Sequence, residues 1–306
     1  MKIGALIVAT GLPGASGIAA LTASMGDISV GQRMIAAFQR AGVSMVALVV
    51  GPEEKKAERQ LVQNGVIFLR CEEDAGFFQG VRQGLDFMAD KFDRIFLVPG
   101  DMPLFLPRTL ETLLEAGASM AIPVSDGKRG FPILLRESAA KILREDEHSL
   151  TLESAAEACE TAFVSVEDPG ILRQNFGAKR KTQLIRQQNR QLTRPTVEVA
   201  LCKGAAMFDP RLSMLLHLVD ETRSVLLACS LMQISYSSAW NMLNRAEDDL
   251  GYPLVIRIRG GSTGSGSVLT EKGRALMDAY DQFAEHLNRE AAALYSEYFP
   301  SMTEQS

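Results

Sequence analysis

Short continuous apolar runs alternate with stretches of helical spacing through the first 100 residues. Residues 3 to 9 form the first run, which turns at Gly11-Leu-Pro-Gly14-Ala-Ser-Gly17. Apolar positions Met34, Ile35 and Phe38 then recur at helical spacing between Val30 and Arg40. Ser44 to Val50 reads as a second buried strand, closed by Gly51-Pro52. A charged helix over 53–63, a strand over 66–70 and a helix over 75–90 through Val81, Leu85 and Met88 follow. Arg94 to Pro99 is another strand. Strands fully apolar on both faces and separated by helices predict a doubly wound, mostly parallel α/β sheet. Such sheets bind ligands beyond the carboxyl ends of their strands. The turn 11–17 and the segment Gly100-Asp101-Met-Pro-Leu-Phe105 both fall there.

The pattern changes after Pro195. Thr196 to Leu201 is strand-like, and Asp209-Pro210 predicts the start of a helix running to about Val219, with the aspartate as cap and proline in its first turn. Ser224 to Met232 reads as a short helix and Ser235 caps the next one. Pro253 to Arg259 and Gly266 to Thr270 form two strands around a glycine- and serine-rich tip. A long helix from Thr270 to about Tyr298 carries Leu276, Tyr280, Phe283 and Leu287 on one face. These boundaries predict a domain over 1–194, a second over 195–300 and a tail over 301–306.

Composition adds little to the fold but narrows the setting. With 306 residues, 46% hydrophobic and 23% charged, the chain has room for two cores. Four scattered cysteines without a Cys-x-x-Cys pair fit a reducing cytoplasm rather than a disulfide framework or structural zinc. The N-terminal apolar run is too short to span a bilayer, so the expectation is a cytoplasmic protein without a membrane segment. Charge is unevenly placed: residues 195–306 hold 9 Lys and Arg against 14 Asp and Glu, an unusual balance for a DNA-binding part. Position offsets this, because Arg245, Arg257, Arg259, Lys272 and Arg274 gather around the second short helix and the hairpin. Residues 173–194 form a basic run, Arg173 to Arg194, with no acid among them, which suits either phosphate contacts beside that part or a solvated helix face.

A helix that enters the major groove needs short polar or long basic side chains near its start. Ser235, Ser237, Ser238, Asn241, Asn244 and Arg245 meet that need, while Trp240 and Leu243 point to another face. The hairpin residues Arg257, Arg259 and Gly261, with Lys272 after it, complete the candidate DNA contacts. Over residues 197 to 297 the order of elements resembles the winged helix-turn-helix domain of the ModE (LysR-type) molybdate-dependent regulators. The resemblance rests on Ile234 to Trp240, Gly260 through Gly266, and Val268-Leu-Thr-Glu-Lys-Gly273. It implies a homodimer joined through the flanking helices and bound to double-stranded DNA. No molybdate-binding domain follows in this sequence.

The first 190 residues resemble the MobA-like nucleotidyltransferases. The matching stretches are the first strand and turn, Gly31-Gln-Arg-Met, Gly76 through Leu85, Leu97 to Pro103, and Gly127 to Pro132. The resemblance implies a nucleotide site at Gly11, Gly14, Gly17, Gly51, Gly130 and Pro132, with Asp101 as ligand to Mg²⁺ when a nucleotide is bound. Nucleotidyl transfer requires cations on the triphosphate and carboxylates for the metal. The family's arginine and lysine positions hold Ala15 and Ala20, and its second metal carboxylate region reads Gln174-Asn175-Phe176. Phe131 stands where the substrate loop often carries histidine. Losing one transition-state cation costs on the order of 10²–10³ in rate. An alternative for Asp101 is a cap on the helix that follows Pro103.

Three functions follow from these residues. The first is a DNA-binding transcription regulator of molybdenum-cofactor metabolism, whose impaired transferase domain senses a nucleotide or molybdopterin-like ligand or acts as a scaffold. The second is a bifunctional, active molybdopterin cytidylyl- or guanylyltransferase that also binds DNA. In the third the C-terminal domain only dimerises the chain.

Overall fold

The computed structural model describes residues 1–12, 18–52, 60–63, 65–72, 75–145, 152–173, 185, 188–190, 192–261 and 264–299. The chain divides into two compact units, one made mainly of Met1–Leu61 with Val66–Thr193 and the other of Arg194–Glu304 with Val62–Gly65.

The first unit is a mixed α/β fold on a mostly parallel sheet. Its elements run β1 (Ile3–Val8), α1 (Ile18–Thr22), β2 (Ser24–Met25), β3 (Ile28–Ser29), α2 (Val30–Arg40), β4 (Met45–Val50), β5 (Val66–Arg70) and α3 (Phe77–Met88). Then come β6 (Arg94–Pro99), α4 (Pro107–Glu115), β7 (Met120–Ser125), β8 (Lys128–Arg129), β9 (Ile133–Arg136), α5 (Glu137–Glu145), α6 (Leu152–Ala158) and β10 (Thr161–Ser165). The sheet order is β10-β7-β9-β6-β1-β4-β5, with β8 paired to β7. Strands β6, β1, β4 and β5 are mutually parallel, and β9 enters antiparallel between β6 and β7.

Burial on both faces explains the unbroken apolar runs. In β1, Ala5 and Ile7 pack with Met34, Ile35 and Phe38 of α2 on one face. Leu6 and Val8 meet α3 on the other, where Gly84 and Gly80 let the helix approach; a Cβ at Gly84 would lie 2.2 Å from Leu6. Helix α2 opens with a capping box in which Ser29 and Gln32 satisfy each other's backbone amides. The charged segment predicted as a helix at 53–63 lies mostly outside the described residues. So do Gly14, Ala15, Gly17, residues 174–176 and most of the basic run.

The second unit contains β11 (Leu201–Lys203), β12 (Ala205–Phe208), α7 (Pro210–Thr222), α8 (Val225–Met232), α9 (Tyr236–Leu250), β13 (Val255–Gly261), β14 (Gly264–Leu269) and α10 (Glu271–Tyr298). Each helix starts at a side-chain cap: Asp209 accepts from Leu212 N, Ser224 from Leu227 N, Ser235 from Ser238 N and Thr270 from Gly273 N. Left-handed residues Arg223, Gln233 and Gly251 end the first three. The strand read at Thr196 to Leu201 is shorter and later than its sequence suggests. Val197 N donates to Asn288 Oδ1 and Val197 O accepts from Asn288 Nδ2, while Val199 O accepts from Tyr280 Oη at 2.6 Å. Side chains of α10 thus take the place of a partner strand. The stripe on α10 is only partly covered: Tyr280 is buried, whereas Phe283 is 49% exposed. No helix among the described residues is long and apolar enough to cross a membrane.

Candidate functional sites

Of the predicted nucleotide-site glycines, Gly11 and Gly130 pack closely against neighbouring backbone. Gly11 has a positive φ of 63°, and a Cβ there would meet Phe77 N at 2.2 Å. Gly130 faces the backbone of Ile171, whose O would lie 2.3 Å from a Cβ. Phe131 N donates to that same Ile171 O at 2.9 Å, and Pro132 points inward. The close approach these residues permit is to protein backbone. Gly51 follows β4 and has open space around it. An open groove of about 810 Å³ lies beyond β5, lined by Arg70, Cys71, Glu72, Gln79, Arg82 and Gln83 among others. It contains none of the residues assigned to nucleotide.

Asp101 follows β6 and is engaged by an arginine. Arg173 Nη2 lies 3.0 Å from both carboxylate oxygens, with Arg173 half exposed and Asp101 largely covered. The helix after Pro103 starts at Leu106 without a side-chain cap, and it is Asp168 that braces this start. That carboxylate is 2% exposed and accepts from Leu106 N at 2.8 Å, Thr109 Oγ1 at 2.6 Å and Gly170 N at 2.9 Å. It therefore ties the start of α4 to the 3-10 turn at Pro169–Ile171 and frames the loop that carries Asp101. Among the described residues no group of three His, Cys, Asp or Glu could hold a metal ion.

Beneath this loop lies a fully buried guanidinium, Arg33 of α2. Its Nε donates to Pro103 O at 2.8 Å, Nη1 to Asn189 Oδ1 at 2.5 Å and Nη2 to Gln188 Oε1 at 3.4 Å. Asn189 in turn donates to Met25 O at 3.1 Å and Asp27 Oδ1 at 2.7 Å. Burial pushes the Arg33 pKa down to about 10, partly opposed by the charge of Asp168. Sequence reasoning gave Arg33 and Asp168 no structural role. Arg33 falls on the apolar stripe of α2, and Asp168-Pro169 repeats the cap-and-proline signal read correctly at Asp209-Pro210.

In the second unit, Ser235, Ser237, Ser238, Asn241, Asn244 and Arg245 are all exposed, while Ala239, Leu243 and Ala246 are buried. The helix period alone produces this division and puts the polar set on one face. Trp240 is half-buried, and the Arg257 guanidinium stacks 4.2 Å from its ring centre. That contact joins α9 to β13. Lys272 lies exposed with its Nζ 5.0 Å from the Tyr252 ring. Gly261 ends β13, and the Arg259 side chain lies outside the described part. Arg274, counted with the basic cluster, is paired with Asp220 of α7 through both guanidinium ends.

The chain is similar to known proteins in two separate ways. It is 30% identical over 96 residues to the molybdenum transport protein ModE of Azotobacter vinelandii, covering 28% of this chain and 35% of that protein. It is 36% identical over 77 residues to the DNA-binding transcriptional dual regulator ModE of Escherichia coli K12, covering 25% and 29%. This chain thus spans about a third of the length of these curated relatives. Among solved structures, Rv0371c from Mycobacterium tuberculosis H37Rv superposes with a TM-score of 0.48 at 16% identity, over 54% of this chain and 89% of that one. Residues 20–162 match the family model described as the MobA-like NTP transferase domain. Over these residues the chain is therefore similar to the MobA-like NTP transferase domain.

Proposed function

We propose that the chain is a DNA-binding transcription regulator acting in molybdenum-cofactor metabolism, with its transferase domain retained as a ligand sensor or scaffold. One observation carries the reading: α9 presents Ser237, Ser238, Asn241, Asn244 and Arg245 on a single exposed face above a buried side. The sequence similarity to ModE regulators, at 36% over 77 residues, supports the same reading. In it, α8 and α9 are the helix-turn-helix, α9 enters the major groove, and the β13–β14 hairpin is the wing. Arg257 stacked on Trp240 reaches a phosphate from the wing, with Lys272 beside it.

A homodimer is part of the proposal. Phe283, Leu294 and Tyr298 stand exposed along one face of α10, at 49%, 51% and 71%. Their spacing continues the buried stripe through Tyr280 and suits a second copy of the same helix. Two copies would read two related half-sites. In the transferase domain, Asp101 is the residue that Mg²⁺ would use, but Arg173 already occupies both of its oxygens. The described residues therefore do not fit the metal, and active transfer is not favoured.

The test is to incubate the full chain with sheared genomic DNA at near-physiological salt and sequence what it retains. Enrichment of a few two-fold-symmetric sites, lost in Asn241→Ala with Arg245→Ala, is the expected result. Each lost base contact costs about 1–3 kcal/mol, or roughly 5- to 150-fold in affinity. Diffuse binding that the double substitution leaves unchanged would reduce the second unit to a dimerisation module.

A further inference from the structure

We propose that Arg173 has replaced the divalent cation of the transferase domain, so that the first unit binds a phosphorylated ligand without metal. The proposal rests on the ligand-sensing part of the regulator reading and is independent of its DNA part.

The argument starts from Asp101. It follows β6, which lies beside β1 in the parallel part of the sheet, where such folds take their ligands. A magnesium ion there would need near-octahedral oxygen ligands at about 2.0–2.1 Å. Among the described residues no cluster of three ligands could hold it, and the Asp101 carboxylate is contacted by Arg173 Nη2 at 3.0 Å from each oxygen. A dication arriving at Asp101 would have to displace the guanidinium or sit beside it against like-charge repulsion. Asp168 cannot serve as a second ligand, because both of its oxygens are committed to amides and a hydroxyl in a buried position.

The replacement still suits a phosphate. Guanidinium has five donors in a fixed fork, and both contacts with Asp101 run through Nη2 alone. The fork matches phosphate oxygens. Asp101 then becomes a positioning residue that aims Arg173, and the loop bearing it is fixed from below by Arg33 through Pro103 O. A single guanidinium neutralises one charge and holds the ligand in place. It cannot bridge two phosphate groups as a coordinated dication does, so retention without transfer is the outcome.

The experiment is equilibrium dialysis of the full chain with labelled CTP, GTP or pyrophosphate, in EDTA and in excess Mg²⁺. At least one probe should bind in EDTA, with Mg²⁺ improving affinity by no more than about two-fold. Arg173→Gln should weaken that binding roughly 10- to 100-fold, the worth of a charge-assisted contact. Arg173→Lys, which keeps the charge without the fork, should fall between the two. Water-proton relaxation with Mn²⁺ gives a second readout: the parent chain should bind no Mn²⁺ at this site, and Arg173→Gln should gain binding that Asp101→Asn removes again. Binding that requires Mg²⁺ and disappears in Asp101→Asn would overturn the replacement. Failure of all three probes in both buffers would overturn ligand sensing as well, while DNA retention, measured separately, would be untouched.

Discussion

Arg33→Met tests whether a buried ion holds the loop that carries Asp101. Keeping the charge at this fully buried position costs about 3 kcal/mol, from the fall of its pKa to about 10. Because the charged form is disfavoured in the fold, that cost applies throughout the neutral range and is relieved only as pH rises through 10. Against it stand contacts to Pro103 O, Asn189 Oδ1 and Gln188 Oε1. Hydrogen bonds from a charged donor contribute about 1.5–3 kcal/mol each, so the three outweigh the cost. Methionine removes the charge but leaves Pro103 O and Asn189 Oδ1 without that donor and Asp168 without its counter-charge. The net loss should be about 3 kcal/mol, since each buried acceptor left unsatisfied costs about 1–3 kcal/mol.

The chain supplies its own reference signal. Its single tryptophan and all five tyrosines (Trp240, Tyr236, Tyr252, Tyr280, Tyr295 and Tyr298) lie beyond residue 194. Trp240 fluorescence therefore follows the second unit, and far-ultraviolet ellipticity follows both. In urea, the ellipticity transition of the first unit should move down by about 1–1.5 M for a slope of about 2–3 kcal/mol/M. Arg33→Lys should behave almost as badly, since an ammonium cannot reach the same three acceptors. An Arg33→Met transition that superimposes on the parent's would refute the reasoning.

Further outcomes follow from single contacts. Ser235→Ala removes the cap on α9 and should cost about 1 kcal/mol, seen as a lower urea midpoint in Trp240 fluorescence. Gly170→Ala places a Cβ 2.1 Å from Leu104 O, so the turn that orients Asp168 must shift; the ellipticity midpoint should fall, and no change would show that the turn gives way freely. The Arg274 hydrogen bonds hold the Asp220 carboxyl below its ordinary range. A depressed acid pKa stabilises the fold above its unfolded value and is lost as pH falls through the folded one. Acid unfolding of the second unit should therefore become shallower between pH 4 and lower values in Asp220→Asn, by fluorescence at about 25 °C.

The sequence by itself determined the two-part division, the parallel strands and the order of helices in the second unit. These depend on short-range properties: unbroken apolar runs, period-3.6 burial, Asp, Ser and Thr caps, and proline or glycine at element ends. The same local logic, through residue spacing alone, puts Ser237, Ser238, Asn241, Asn244 and Arg245 on one face of α9. Tertiary structure decided what depends on distant partners. Arg33 and Asn189 meet across 156 positions, and Arg173 reaches Asp101 across 72, so no local spacing announces either pair. It also decided that Gly11 and Gly130 make room for neighbouring backbone, and that α10 pins residues 197–199 with Asn288 and Tyr280. A side chain's partner is set by how the elements pack, and packing is a property of the whole sheet and its helices rather than of any one segment.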